Sequence, residues 1–205
     1  MTNTVDRRRL LRLSLLGTLP GLAALATLSR AHAEESGASS ASAPGGQHDF
    51  DFFFGSWNVH HRRLGKRLVG SNEWEEFGGT TACQPILGGF ANFNDSVVRR
   101  PAGVAGDLVI SRGMGLRAYD AKTDTWADWY LDGRNPTKIE VHGLGRFADR
   151  VGTFFSEDTW QGKAVKVRGI FTPLTAASMQ WEQAYSGDEG ASWETNYVMR
   201  YSRSK

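Results

Sequence analysis

The 205-residue chain has one cysteine, Cys83, which excludes an internal disulfide. Stability must come from a core, and a chain of this length can build one unaided. A lone thiol with no activating neighbour in the sequence reads as a small buried apolar residue, not a nucleophile. Metal donors are also wanting, because no spaced set of His, Cys or carboxylate accompanies the pair His60-His61, so no metal site is expected. Absent too are a glycine-rich phosphate loop between strand and helix, a Gly-x-Ser-x-Gly elbow and a usefully spaced Cys/His pair. Gly113-Met114-Gly115 lacks the context of a dinucleotide site, and no separable cofactor is expected.

A basic stripe is missing once the N-terminus is set aside. Of 24 basic and 22 acidic side chains, Arg7, Arg8, Arg9, Arg12, Arg30 and Asp6 fall within residues 1–33, leaving 19 basic and 21 acidic. Nucleic acid is therefore not expected as a partner. Residues 1–33 read as an export signal. A charged start, Asp6-Arg7-Arg8-Arg9-Leu10-Leu11, leads into the apolar run 13–28 and then Ala31-His32-Ala33, whose small residues suit cleavage near Ala33. The paired arginines favour the twin-arginine route over the general secretory one. Pro20, Gly17 and Gly21 break the run, so no stable membrane anchor is expected and the product is periplasmic or secreted. Residues 34–47, rich in Ser, Ala and Gly, read as a flexible linker, and the domain spans 48–205.

Across that domain no helical period is sustained, while β-branched and aromatic runs recur between turn signals. Strands are expected at 57–69, 72–84, 91–99, 108–110 with 115–119, 126–131, 138–147, 152–160, 163–172, 178–186 and 193–203. About ten sequential strands with short turns predict an all-β fold with little or no helix outside the signal peptide. A single antiparallel up-and-down barrel is the expected form, because closure removes the exposed edges.

Alternation assigns faces. In the last strand Trp193, Thr195, Tyr197, Met199 and Tyr201 oppose Glu194, Asn196, Val198 and Arg200. In the ninth, Met179, Trp181, Gln183 and Tyr185 oppose Gln180, Glu182 and Ala184. Inward polar groups favour a barrel holding a small ligand over a dry filled one.

Ser186-Gly187-Asp188-Glu189-Gly190-Ala191-Ser192-Trp193 resembles the Asp-box hairpin, a structural device whose Ser and Asp bond turn amides. One copy without internal repeats gives no support to a glycosidase propeller. Strand geometry separates His60 from His61: if Trp57 points inward, Val59, His61 and Arg63 follow, while His60 and Arg62 face solvent. After the turn Asp132-Gly133, Arg134 would sit at a barrel rim, paired with Asp132 or Asp128 or free to grip a carboxylate. Glu182 and Glu194 alternate with large aromatics and are candidates for acid/base work or for satisfied structural roles.

Four segments in order carry a resemblance: Phe52-Phe53-Phe54-Gly55-Ser56-Trp57, Leu116-Arg117-Ala118-Tyr119-Asp120, Trp129-Tyr130-Leu131-Asp132-Gly133-Arg134, and Trp181-Glu182-Gln183-Ala184-Tyr185 through Met199. The chain resembles, over about residues 49–203, a bacterial exported family catalogued as a domain of unknown function and similar to lipocalins. Gly55-x-Trp57 is similar to the Gly-x-Trp of lipocalin-type barrels, whose Trp plugs the barrel base. The resemblance implies a lipocalin-like (calycin-type) barrel and carries no catalytic residues.

The expected function is an exported lipocalin-like barrel binding a small hydrophobic or aromatic molecule inside. Trp57, Trp129, Trp181 and Tyr197 would supply walls; His61, Arg134, Glu182 and Asn196 would orient the ligand. One alternative is a cofactor-independent enzyme on a similar substrate, with His61 or Glu182 as general base. Another is a barrel filled by its own side chains that serves as a homo-oligomerisation module.

Overall fold

The computed structural model describes residues 46–103 and 106–205, with side chains for all of these except 100–103, 106–110 and 140–142. The expected export signal and nearly all of the linker lie outside the described residues. Ten strands follow one another: β1 Gly55–Leu64, β2 Trp74–Ile86, β3 Ala91–Gly103, β4 Gly106–Asp120, β5 Thr125–Asp132, β6 Glu140–Ala148, β7 Val151–Trp160, β8 Lys163–Thr175, β9 Ser178–Ser186 and β10 Glu194–Arg203. Each pairs antiparallel with the next, and β10 returns to β1, so the sheet closes into an up-and-down barrel. The only helical pieces among the described residues are the 3₁₀ turns Asp51–Phe53 and Leu87–Gly89. None of the described residues forms a helix long and apolar enough to cross a membrane.

Local chemistry explains the strand ends. Two-residue loops at Asp149-Arg150 and Gln161-Gly162 take positive φ at both positions, the twist that matches two antiparallel strands. In β1 the alternation Trp57, Val59, His61 is buried while Asn58 and His60 are exposed, as the period of two requires. Arg63 is half-exposed and holds Glu75 at 3.1 Å, while Arg62 holds Glu76 at 3.0 Å.

One end of the barrel is plugged by the segment that precedes β1. Phe50 is fully buried and meets Trp126, Phe147 and Phe171 edge-on at 4.9, 4.9 and 5.1 Å. The Trp57 indole N–H donates to the Phe53 carbonyl at 2.8 Å, and that of Trp126 to the Asp49 carboxylate at 3.0 Å. Both buried indoles thus have the partner their polar edge demands.

Three expectations are corrected. The first strand ends at Leu64, not at 69, because Leu68 takes φ +60 and gives its N–H to Glu194 at 2.6 Å. The resulting loop lays Arg67 across the rings of Trp160 and Tyr185, 4.7 and 5.0 Å away. The two short segments expected at 108–110 and 115–119 are one continuous strand of 15 residues. In β10 the register shifts between Thr195 and Tyr197, so Asn196 is an extra residue and the two sides of that bulge do not share one simple alternation.

Candidate functional site: the barrel cavity

Above the plug the barrel is not filled. A cavity of about 290 Å³ runs among side chains from every strand class just described, at the low end of small-molecule sites. That finding removes the premise of a barrel packed solid by its own side chains. Its aromatic walls are Trp129, Trp181 and Tyr197 with Phe53, Phe154, Phe171 and Tyr201. Trp181 stands edge-on to Tyr197 at 5.8 Å.

Of the residues singled out from the sequence, His61, Trp129, Trp181 and Tyr197 line this cavity together. Trp57, Arg134, Glu182 and Asn196 do not. Trp57 lies beneath it, within the plug. Glu182 sits between Trp181 and Gln183, both of which line the cavity. It therefore faces outward, where the Gln180 side-chain amide donates to it at 3.0 Å. Arg134 is an exposed rim residue whose Nε donates to both oxygens of its own turn's Asp132 at 3.0 Å. Asn196 is 0% exposed but stands behind the wall, accepting from the Gln183 amide at 3.0 Å. Glu194 is committed to the Leu68 backbone N–H.

His61 is 4% exposed and stacks on Phe77, with centroids 4.9 Å apart and planes 12° from parallel. Its Nδ1 and the Tyr197 hydroxyl share a hydrogen bond of 2.8 Å. A Cβ on Gly79 would come within 2.8 Å of Nε2, so the absence of a side chain there is what admits the ring. Burial above all, with His60 and Arg63 nearby, holds the His61 pKa down to about 4. Burial pushes the Tyr197 hydroxyl up to about 12. Both groups are neutral around pH 7, a polar but uncharged pair in an aromatic wall. A base with a pKa near 4 is poorly matched to proton abstraction at neutral pH.

The cavity residues that sequence reasoning missed lie on the neighbouring strands β3, β4 and β5. Arg117 is 3% exposed, its guanidinium carbon 5.2 Å from the Phe50 ring centre and 5.3 Å from that of Phe53. Its Nε donates to the Asn92 side-chain oxygen at 2.8 Å, and one Nη donates to that of Asn94. The Asn94 amide in turn donates to Ser96 at 2.9 Å and Thr81 at 3.2 Å. Asp128 of β5 is the register partner of Arg117 and lines the same space. A signal was available in the alternation Gly113-x-Gly115-x-Arg117, in which an inward Arg follows two residues without side chains.

The wall is not uniformly knitted. Strand β6 pairs with β7 only from Leu144↔Phe155 to Ala148↔Val151. Beyond that, among the described residues, Glu140–Gly143 bond to β5 and Ser156–Trp160 to β8. Gly143, Phe155 and Ser156, at the parting, are all cavity-lining residues. Cys83 is buried beside the plug and its thiol is pushed up to about 11 by burial. No group of three or more metal-binding side chains occurs among the described residues.

Fold and cavity together define an all-β protein, a closed ten-strand antiparallel up-and-down barrel with a cavity inside. No family model and no curated protein matches the chain. Among solved structures it is similar to the S-type phycobiliprotein lyase CPES from Guillardia theta, at 11% identity and a TM-score of 0.52, over 78% of this chain and 93% of that one. At that identity the likeness is one of fold.

Proposed function

We propose that the chain is an exported lipocalin-like barrel that takes a small hydrophobic or aromatic molecule into its interior. The observation that carries the reading is the cavity itself: aromatic walls from Trp129, Trp181, Tyr197, Phe154 and Phe171 around a few convergent polar groups. Apolar walls give affinity and sparse polar groups give orientation. The phycobiliprotein lyase contributes the precedent of a barrel of this shape in a protein named for an action on other molecules. Within the proposal, Trp181, Trp129 and Tyr197 are walls and His61 is an orienting contact. Export rests on Arg7-Arg8, the apolar run and Ala31-His32-Ala33.

The test is titration of the purified protein with small aromatics and fatty acids while Trp emission is followed, since Trp129 and Trp181 face the cavity. Saturable change with at least one class is expected; a flat response across the panel overturns the reading. Export is checked by N-terminal sequencing of the protein from the periplasmic and secreted fractions, where a start just after Ala33 is expected.

A further inference from the structure

We infer that the ligand carries a carboxylate, and that Arg117 on the cavity wall is the group that receives it. The inference rests on the ligand-binding reading above and narrows its ligand class. Arg117 is 3% exposed, and the rings of Phe50, Phe53 and Phe171 surround its guanidinium at 5.2, 5.3 and 5.7 Å. A cation so far from water is costly unless it is paired and hydrogen-bonded. Its hydrogen bonds to the neutral side-chain oxygens of Asn92 and Asn94 fix its orientation without neutralising it. Those amides are themselves pinned: Asn94 spends its N–H groups on Thr81 and Ser96, so its oxygen must point at the guanidinium.

The edge of the fork that remains lies beside open space. Gly115 precedes Arg117 on the same face of β4, and a Cβ there would lie 3.1 Å from Nη1 and 3.4 Å from Nη2. With no side chain at that position, the edge is left uncovered on the side that Gly115, Asn94 and Arg117 share with the cavity. A planar fork beside an apolar pocket fits a carboxylate in a way that a point charge does not. Asp128 is the opposing charge, in register with Arg117 and lining the same cavity. It weakens an incoming anion's grip, and that gives the inference a second handle. A preference for anions would have to arise locally, since residues 34–205 carry 19 basic and 21 acidic side chains and attract no anion by net charge.

The test compares 2-naphthoate with 2-naphthamide, which share shape and a carbonyl acceptor but differ in charge, by calorimetric titration of the full chain at pH 7. The wild type is expected to bind the acid ~10-fold or more tightly than the amide, about the ratio a hydrogen bond to a charged group supplies. In Arg117→Gln the two should bind alike, and in Asp128→Asn the preference for the acid should grow. Equal binding of both probes by the wild type overturns this inference and leaves the ligand-binding reading standing. Binding of neither overturns both. Should Arg117→Gln not fold by circular dichroism, Asp128→Asn decides: an unchanged or smaller preference for the acid overturns the role of Arg117.

Discussion

Arg203, the last residue of the last strand, lays its guanidinium 3.9 Å from the centre of the Trp57 ring, and the two are register partners in the seam that closes the barrel. The same side chain donates to the carbonyls of Phe52, at 3.0 Å, and Phe54. It therefore ties the seam to the plug. Gly55 allows this: it takes φ +111, and a Cβ there would meet Arg203 Nη1 at 2.5 Å.

Removal of that tie should destabilise the barrel without emptying it. Arg203→Ala is expected to cost ~2 kcal/mol from the lost cation–π contact and hydrogen bonds. That corresponds to a melting temperature lower by roughly 4–8 °C for a domain of this size. Chemical denaturation of the variant checks it; an unchanged midpoint would show that the seam does not need the tie.

Acid should weaken the fold through His61. Its pKa is about 6.5 when unfolded and about 4 when folded, so between those values the unfolded chain binds the extra proton. Stability attributable to this group is complete above pH 6.5, falls as pH drops toward 4 and levels off below, a span of ~3 kcal/mol. Urea midpoints from pH 7.5 to 4 should slope in the wild type and slope less in His61→Gln. Parallel curves would refute the assignment.

Two neighbours on β9 should behave oppositely toward ligand. Trp181 lines the cavity and Glu182 faces outward. With whichever ligand quenches Trp emission, Trp181→Ala is expected to weaken binding by ~10-fold or more and Glu182→Ala by less than about two-fold, as loss of buried aromatic area against loss of a surface contact predicts. A Glu182 effect as large as that of Trp181 would contradict the outward placement.

The hairpin between β9 and β10 should be a stability element with its own acid limb. The Asp188 carboxylate accepts from Ser186 Oγ at 2.7 Å, from the Ser192 N–H at 2.9 Å and from Ser192 Oγ at 2.6 Å, and these bonds lower its pKa to about 2. Its contribution is present above pH 3.8 and lost as pH falls through 2. Asp188→Ala should lower the melting temperature at pH 7 and leave ligand affinity unchanged; a change in affinity alone would overturn the structural role.

Cys83 should resist thiol reagents at pH 8 while the protein is folded and react fully in denaturant, because it is 3% exposed and its pKa is about 11. Rapid labelling of the native protein would contradict its burial.

Much of this architecture was legible in the residues. All ten strands fall where apolar runs lie between turn signals, and the period of two placed His61 inside and His60 outside. The same rule placed Glu182 opposite Trp181, and its candidacy as an interior acid set that rule aside because aromatics flank it. Asn196 shows the limit of alternation: a bulge adds one residue without any mark in the sequence, and the side chain ends buried behind Gln183. The cation that lines the cavity went unnoticed for a related reason. Arg134 follows an obvious turn and draws notice, whereas Arg117 sits in mid-strand, where only the folded barrel reveals three rings around it.

The seam between β1 and β10 joins residues near opposite ends of the domain, Trp57 with Arg203. Contacts so distant along the chain pay their loop-closure entropy before any reward, which slows folding. A nascent chain emerging from the ribosome holds nine strands with two raw edges until Glu194–Arg203 has been made. For this protein the vulnerable interval is therefore the one in which the ninth strand is in place and the tenth has yet to find the first.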